Sequence, residues 1–317
     1  MRTVTIDQQI IDRAMEGDKE AFATLVRATG SRSLIVAERI LRSPDDAVSA
    51  ARKFFVLTYT NLKKLKNLGV LELWLMQNLV RVCGESIKEA TKKGIALPQC
   101  EFPRNLATVG LLDSVGVVDA PMAQAASLAA RRRKTVQKAI DCLPFLERTA
   151  VIFRDWDGMS YLEVAEILRV KQDEMRKLLV RGRKAVAEML TPQVCCEQKA
   201  CGGAGAGANP GAARATVQNA PVDKKAPADR KAARELARLK AECGKVHDKI
   251  WLLIGGEVGP MELVHVRTHL ARCPECADTL RRASIVLEAI RDAAPLEDKP
   301  LIAPEMLWKE VEPLLVR

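Results

Sequence analysis

The chain has 317 residues, 48% hydrophobic but only 4% aromatic, with 50 Lys and Arg against 40 Asp and Glu. That length calls for two or three domains, a composition dominated by Ala, Leu, Arg and Glu suits an all-α chain, and a formal charge of +10 fits a polyanionic partner. No cationic segment followed by an apolar one opens the sequence, and the most apolar stretch, 68–82, contains Glu72, Gln77, Asn78 and Arg81, so neither a signal peptide nor a membrane span is expected. The expected compartment is cytoplasmic, where the nine cysteines read as thiols or metal ligands before disulfides.

Residues 1–95 predict a bundle of short helices. The first runs from Ile6 and closes at Gly17, with Asp18 capping the next, which puts Phe22, Leu25 and Val26 on one face. A third covers Leu34 to Leu41, and Asp45 and Asp46 start a fourth from Ala47 to Leu65. The fifth, Val70 to Glu85, is apolar on most sides and central to the bundle. Pro98, Pro103, Gly110, Gly116 and Pro121 then break up 96–130, which reads as a linker, and the basic run Ala129 to Lys134 enters the next helix. That basic run either touches phosphate or is solvated.

Residues 131–192 read as a helix-turn-helix domain. A helix ending near Leu143-Pro144 is followed by one from Leu146 to Trp156, stopped at Asp157-Gly158. Ser160 and Glu163 form a capping box, and Val164, Ala165, Ile167 and Leu168 give the next helix one apolar face. After the turn at Val170 to Asp173, with Asp173 as cap, the last helix buries Met175, Leu178, Leu179, Val186 and Leu190. It is expected to expose Arg176, Lys177, Arg181, Arg183 and Lys184. Two helices joined by a tight turn, the second carrying cations on its solvent face, form the motif that enters a major groove, and these five are the candidate DNA-binding residues. A solvated face on a helical bundle is the plainer reading of the same charges.

Residues 193–228 carry a Gly/Ala run and little to bury, which predicts a flexible tether; Cys195, Cys196 and Cys201 there read as free thiols. All three histidines, His247, His265 and His269, fall between Cys243 and Cys276 in the segment 229–317. His269 and Cys273 lie one turn apart, Cys273-Pro274-Glu275-Cys276 forms a knuckle, and Cys243 stands upstream on a helix from Glu235 to Leu253. Cys243, His269, Cys273 and Cys276 make a closed tetrahedral Zn2+ set, with His247 the competitor for the upstream position. No nucleophile–base constellation is visible and the saturated metal set leaves no open position, so an enzyme is not expected. The amphipathic segment Pro304 to Leu315 is a candidate docking helix or a cap on its own domain's core.

Two resemblances follow from these motifs. Leu143-Pro144, Glu147-Arg148, Asp157-Gly158-Met159-Ser160, Glu163-Val164-Ala165 and the run Met175 to Arg183 resemble the promoter −35-binding domain of extracytoplasmic-function sigma factors. In that run Lys177 stands for the family's Ser and Leu178 for the following Arg. Gly17 to Val26 is similar to the opening of the family's polymerase-binding domain, although Asp46-Ala47-Val48-Ser49 and Arg52 depart from its acidic and amide pattern. The spacing from Cys243 to Cys276 resembles the zinc-binding anti-sigma domain, here fused in cis. The resemblance implies an all-α protein: two helical sigma-like domains, 1–95 and the helix-turn-helix 131–192, joined by linkers to a small helical zinc-binding domain, 229–317. It implies a transcription initiation factor that recruits RNA polymerase core to promoter DNA and is regulated in cis. The rival readings are a DNA-binding regulator that no longer binds polymerase, and a zinc- or thiol-sensing interaction module.

Overall fold

A computed structural model describes residues 6–65, 71–94, 102, 122–191, 227–294 and 301–315. Among these, all regular structure is helical, and no helix is long and apolar enough to cross a membrane. The tether cysteines Cys195, Cys196 and Cys201, and most of 96–121, lie outside the described residues.

Helix α1 (Gln8–Glu16) starts on the Asp7 carboxylate and ends at Gly17, whose φ of 98° is a left-handed conformation that suits glycine. The Asp18 side chain accepts from the backbone N–H groups of Glu20 and Ala21 and so caps α2 (Lys19–Leu41). The Ala21 N–H, with the Arg13 guanidinium, holds that carboxyl below its usual range. Where two helices were expected, α2 runs unbroken through Gly30. Gly30 is a point of close approach: a Cβ there would lie 3.3 Å from Leu307 Cδ2. Ser43 caps α3 (Pro44–Asn61), and α4 (Leu71–Lys92) extends past the expected end at Glu85.

Helix α5 (Met122–Asp141) begins well before the basic run. Next come α6 (Phe145–Val151), a π-helical turn at Ile152–Trp156, α7 (Tyr161–Leu168) and α8 (Gln172–Leu190). The C-terminal part consists of α9 (Pro227–Gly255), α10 (Pro260–Leu270), α11 (Pro274–Asp292) and α12 (Pro304–Val311).

Two apolar cores result, and α8 belongs to both. Met175, Leu178 and Leu179 join α7 and Phe153 in a core with α1–α4. Val180, Val186 and Leu190, further along α8, pack with α5 and with Val246, Ile250, Trp251 and Val266 from α9 and α10. Polar ties reinforce the first junction: Arg148 donates to Ile40 O at 2.6 Å, and Arg32 lies 3.7 Å from Asp157. Burial pushes the Asp157 carboxyl upward against that pairing. At the second junction Arg133 and Gln137, on the basic helix α5, donate to the carbonyls of Asp292 and Ala293 at the end of α11. The Arg133 of the basic run therefore caps a helix C-terminus, where a cation is favoured.

The segment expected to dock or to cap its own domain does the former. Leu307, Trp308 and Val311 of α12 are buried in the core of α2 and α3, with the Trp308 ring 6.3 Å from that of Phe22, and Glu310 pairs with Arg52 at 3.3 Å. Truncating a buried aromatic side chain removes its transfer energy and leaves a cavity. Trp308→Ala is therefore expected to lower unfolding free energy by about 3–5 kcal/mol, read from urea unfolding followed by circular dichroism. Exposed Met306→Ala on the same helix should change it little.

Candidate nucleic-acid interface and metal centre

Local sequence builds the helix-turn-helix directly. The Ser160 hydroxyl accepts from Glu163 N–H and the Glu163 carboxylate accepts from Ser160 N–H at 2.7 Å, completing the expected capping box at the start of α7. Arg169 closes α7 in the left-handed region (φ 54°), and the chain turns through Val170 and Lys171 into α8. Asp173 lies inside the first turn of α8, not at its cap, which is Lys171. Tyr161 donates its hydroxyl proton to Gln172 O and ties the two helix starts together. Gly182 lets α8 cross α6 closely, since a Cβ there would meet Val151 Cγ2 at 3.0 Å.

The five cations of α8 divide between two faces. Lys177 and Arg181 look outward and pair with carboxylates of their own neighbourhood: Lys177 with Glu174 at 3.7 Å, Arg181 with Glu147 at 2.8 Å and Glu174 at 3.3 Å. Arg176, Arg183 and Lys184 face the C-terminal helices. Arg176 lies 3.7 Å from Glu262 on α10, and Lys184 pairs with Asp248 on α9. Glu262 is shared with Lys249 at 3.4 Å.

Arg183 corrects the expectation of exposure: its side chain is 0% exposed. It grips Asp155 in bidentate fashion, Nε to Oδ2 at 3.0 Å and Nη2 to Oδ1 at 2.7 Å. Its remaining protons reach Glu257 at 3.1 and 3.2 Å and the Trp251 carbonyl at 2.7 Å. Asp155 lies on the π-helical turn, whose Arg154 and Trp156 also reach the C-terminal helices. Arg154 donates to Glu257 at 2.8 Å and to Gly255 O at 2.8 Å, and Trp156 Nε1 to Ile290 O at 2.6 Å. Two arginines and two carboxylates thus form a buried, hydrogen-bonded tetrad. Despite the cost of burial, Asp155 and Glu257 hold the Arg183 guanidinium protonated well above its ordinary range.

Gly255 makes this tetrad possible. A Cβ there would stand 1.9 Å from Glu257 Oε2 and 2.4 Å from Arg183 Nη1. Arg154, Asp155 and Glu257 were not legible as a site in the sequence; only the Gly255-Gly256-Glu257 stretch, just beyond the apolar run of α9, hinted at a special backbone.

The other cluster matches its spacing. Cys243 from α9, His269 near the end of α10, Cys273 at the N-cap of α11 and Cys276 in its first turn bring their ligand atoms within 4.8 Å of one another. Cys243 Sγ lies 3.6 Å from His269 Nε2 and 3.7 Å from Cys273 Sγ, and His269 Nε2 lies 3.3 Å from Cys276 Sγ. Those separations fit a tetrahedral ion with metal–sulfur bonds of about 2.3 Å. His247 is not among the residues brought together. The buried His269 Nδ1 has no hydrogen-bond partner and lies 3.6 Å from the Glu242 carboxylate, the group placed to orient a ligating imidazole. Burial pushes the Cys276 thiol up to about 12, while the Cys276 backbone N–H pulls the Cys273 thiol down. The four ligand atoms are close enough together to hold a metal ion.

Removing one partner of a buried ion-pair network strands the others. Arg183→Ala should therefore cost about 3–5 kcal/mol in unfolding free energy by leaving Asp155 and Glu257 unpaired. Arg181→Ala, on the exposed face, should cost under about 1 kcal/mol. Equal and small losses in both variants, measured by denaturant unfolding, would contradict this geometry.

Two segments of the chain match known families. Residues 133–186 match the family model of sigma-70, region 4, and residues 243–277 match the model described as "Putative zinc-finger". The chain is 25% identical over 192 residues to the RNA polymerase sigma-H factor of Pseudomonas aeruginosa, spanning 61% of this chain and 97% of that protein. It is 25% identical over 182 residues to the ECF RNA polymerase sigma factor SigW of Bacillus subtilis, spanning 57% and 94% respectively. To the ECF RNA polymerase sigma-E factor of Escherichia coli K12 it is 23% identical over 192 residues, spanning 59% and 96%. The chain thus carries a stretch matching sigma-70, region 4, followed by one matching a zinc finger, and is similar to ECF RNA polymerase sigma factors over more than half of its length.

Proposed function

We propose that this chain acts in the cytoplasm as a transcription initiation factor that recruits RNA polymerase core to promoter DNA and is held inactive in cis by its own C-terminal domain. Residues 1–95 serve as the polymerase-binding unit, 131–192 as the unit that binds the promoter −35 element through α8, and 229–317 as the regulatory unit. The protein works by binding, with no catalytic step of its own. The observation that carries this reading is that the C-terminal helices rest on the same helix, α8, that bears the candidate DNA-binding cations.

Cys243, His269, Cys273 and Cys276 would hold a structural Zn2+. Bound there, the ion supplies no reactive chemistry; it closes a tetrahedral cross-link among α9, α10 and α11. The cross-link fixes the register of α9, and with it the positions of Asp248 and of the Gly255–Glu257 corner against α8. At the other end, α12 covers part of the α2–α3 surface, where Glu310 meets Arg52. That pairing also favours a second reading, a DNA-binding regulator without polymerase affinity, because Arg52 occupies a position where the sigma pattern carries an amide.

Core polymerase separates these readings. Wild-type protein purified without chelator is expected to hold one zinc per chain by elemental analysis. Cys243→Ala should lose most of that zinc and raise promoter-dependent transcription in vitro by about tenfold, as the C-terminal domain unfolds and releases α8. No zinc in the wild type would remove the metal reading. Failure of both forms to bind core polymerase, with duplex binding retained, would favour the polymerase-free regulator.

A further inference from the structure

We infer that the C-terminal domain holds α8 by standing in for nucleic-acid phosphates: Asp248, Glu257 and Glu262 occupy Arg154, Arg176, Arg183 and Lys184, the set that contacts the DNA backbone when the domain lifts. This rests on the DNA-binding reading above and names the competitor and the contact residues. Arg154 belongs to the set although it lies outside α8.

Charge bookkeeping at the interface supports the match. On the helix-turn-helix side, Arg154, Arg176, Arg183 and Lys184 face the C-terminal domain, and only Asp155 among them is an acid that stays with Arg183. Lifting the domain would part Arg154, Arg176 and Lys184 from Glu257, Glu262 and Asp248, of which Glu262 is shared with Lys249 of the domain itself. Arg176 and Lys184 are eight residues apart on one helix face, about 12 Å along the axis, with the Arg154–Arg183 pair beside Lys184. Duplex DNA offers a row of fixed negative charges to such a stripe. Val180, between Arg176 and Lys184 in sequence, belongs to the same apolar core as Trp251 and Leu252 and gives the closed form apolar adhesion, while the carboxylates confer the charge match.

The outward cations behave differently. Lys177 and Arg181 keep Glu174 and Glu147 whether the domain is seated or lifted, since all four belong to the helix-turn-helix unit. Their net contribution to a polyanion is already offset within that unit. The inward set is the one whose charge changes with the position of the domain.

The test uses the full chain and a 30-base-pair duplex, with binding followed by fluorescence anisotropy across a salt series, and amide exchange of α9 as a separate report on the domain. The variant D248N/E262Q neutralises the two more exposed carboxylates and leaves the buried Glu257 in place, so the fold is retained. It should bind the duplex roughly tenfold more tightly than wild type at low salt, with a salt slope steeper by about two units. Adding R176Q/K184Q should abolish that gain, whereas adding K177Q/R181Q should leave most of it. Duplex should also speed exchange in α9 of the wild type, because competition for one surface is reciprocal. If α9 exchanges faster in D248N/E262Q yet duplex affinity equals that of wild type, the phosphate stand-in is overturned and DNA binding survives. If neither form binds duplex at any salt although α9 has loosened, the DNA-binding reading fails, and this inference with it.

Discussion

The closed arrangement depends on one buried guanidinium. Arg183 sits where the π turn, α8 and the end of α9 meet, and each of its donor nitrogens has a partner: Asp155 on one side, Glu257 and the Trp251 carbonyl on the other. A charge removed from water is tolerable only when its partners are complete. The three elements are therefore interdependent. The π turn must present Asp155, Gly255 must leave room for the Glu257 carboxylate, and α8 must cross α6 closely at Gly182.

From that point the architecture spreads in two directions. The N-terminal half of α8 shares a core with α1–α4, and the C-terminal half shares one with α9–α11, so α8 links the two cores. At the far side α12 returns to α2 and α3, which places both ends of the C-terminal part against the sigma-like helices. A change in the C-terminal domain is thus felt at two separate surfaces. The candidate metal ligands are linked to α8 through α9 itself, since Cys243 and Asp248 lie on one helix.

Much of this was legible where the determinants are local. Ser160 and Glu163 specify a capping box within four residues, and Cys273-Pro274-Glu275-Cys276 specifies a helix start with two ligands. Trp308 and its apolar neighbours announced a helix that buries one face, though not its destination. Arg183 could not be read this way. Its partners lie 28 and 74 residues away in sequence, and on a helical wheel it is one more cation in a basic run. The role of Gly30 was hidden for a related reason: its lack of a Cβ makes room for Leu307, which lies far away in sequence. The π turn at Ile152–Trp156 has no signature in composition, and the partners of its Arg154 and Asp155, Glu257 and Arg183, are distant in sequence.

The central claim is that Arg183 and Glu257 couple the sigma-like helices to the C-terminal domain. A double-mutant cycle with Arg183→Met, Glu257→Gln and the pair, read by denaturant unfolding of the full chain, measures that coupling directly. The account predicts an interaction energy of about 1–3 kcal/mol, the double variant being less destabilised than the sum of the singles. Strict additivity of the two substitutions would contradict it.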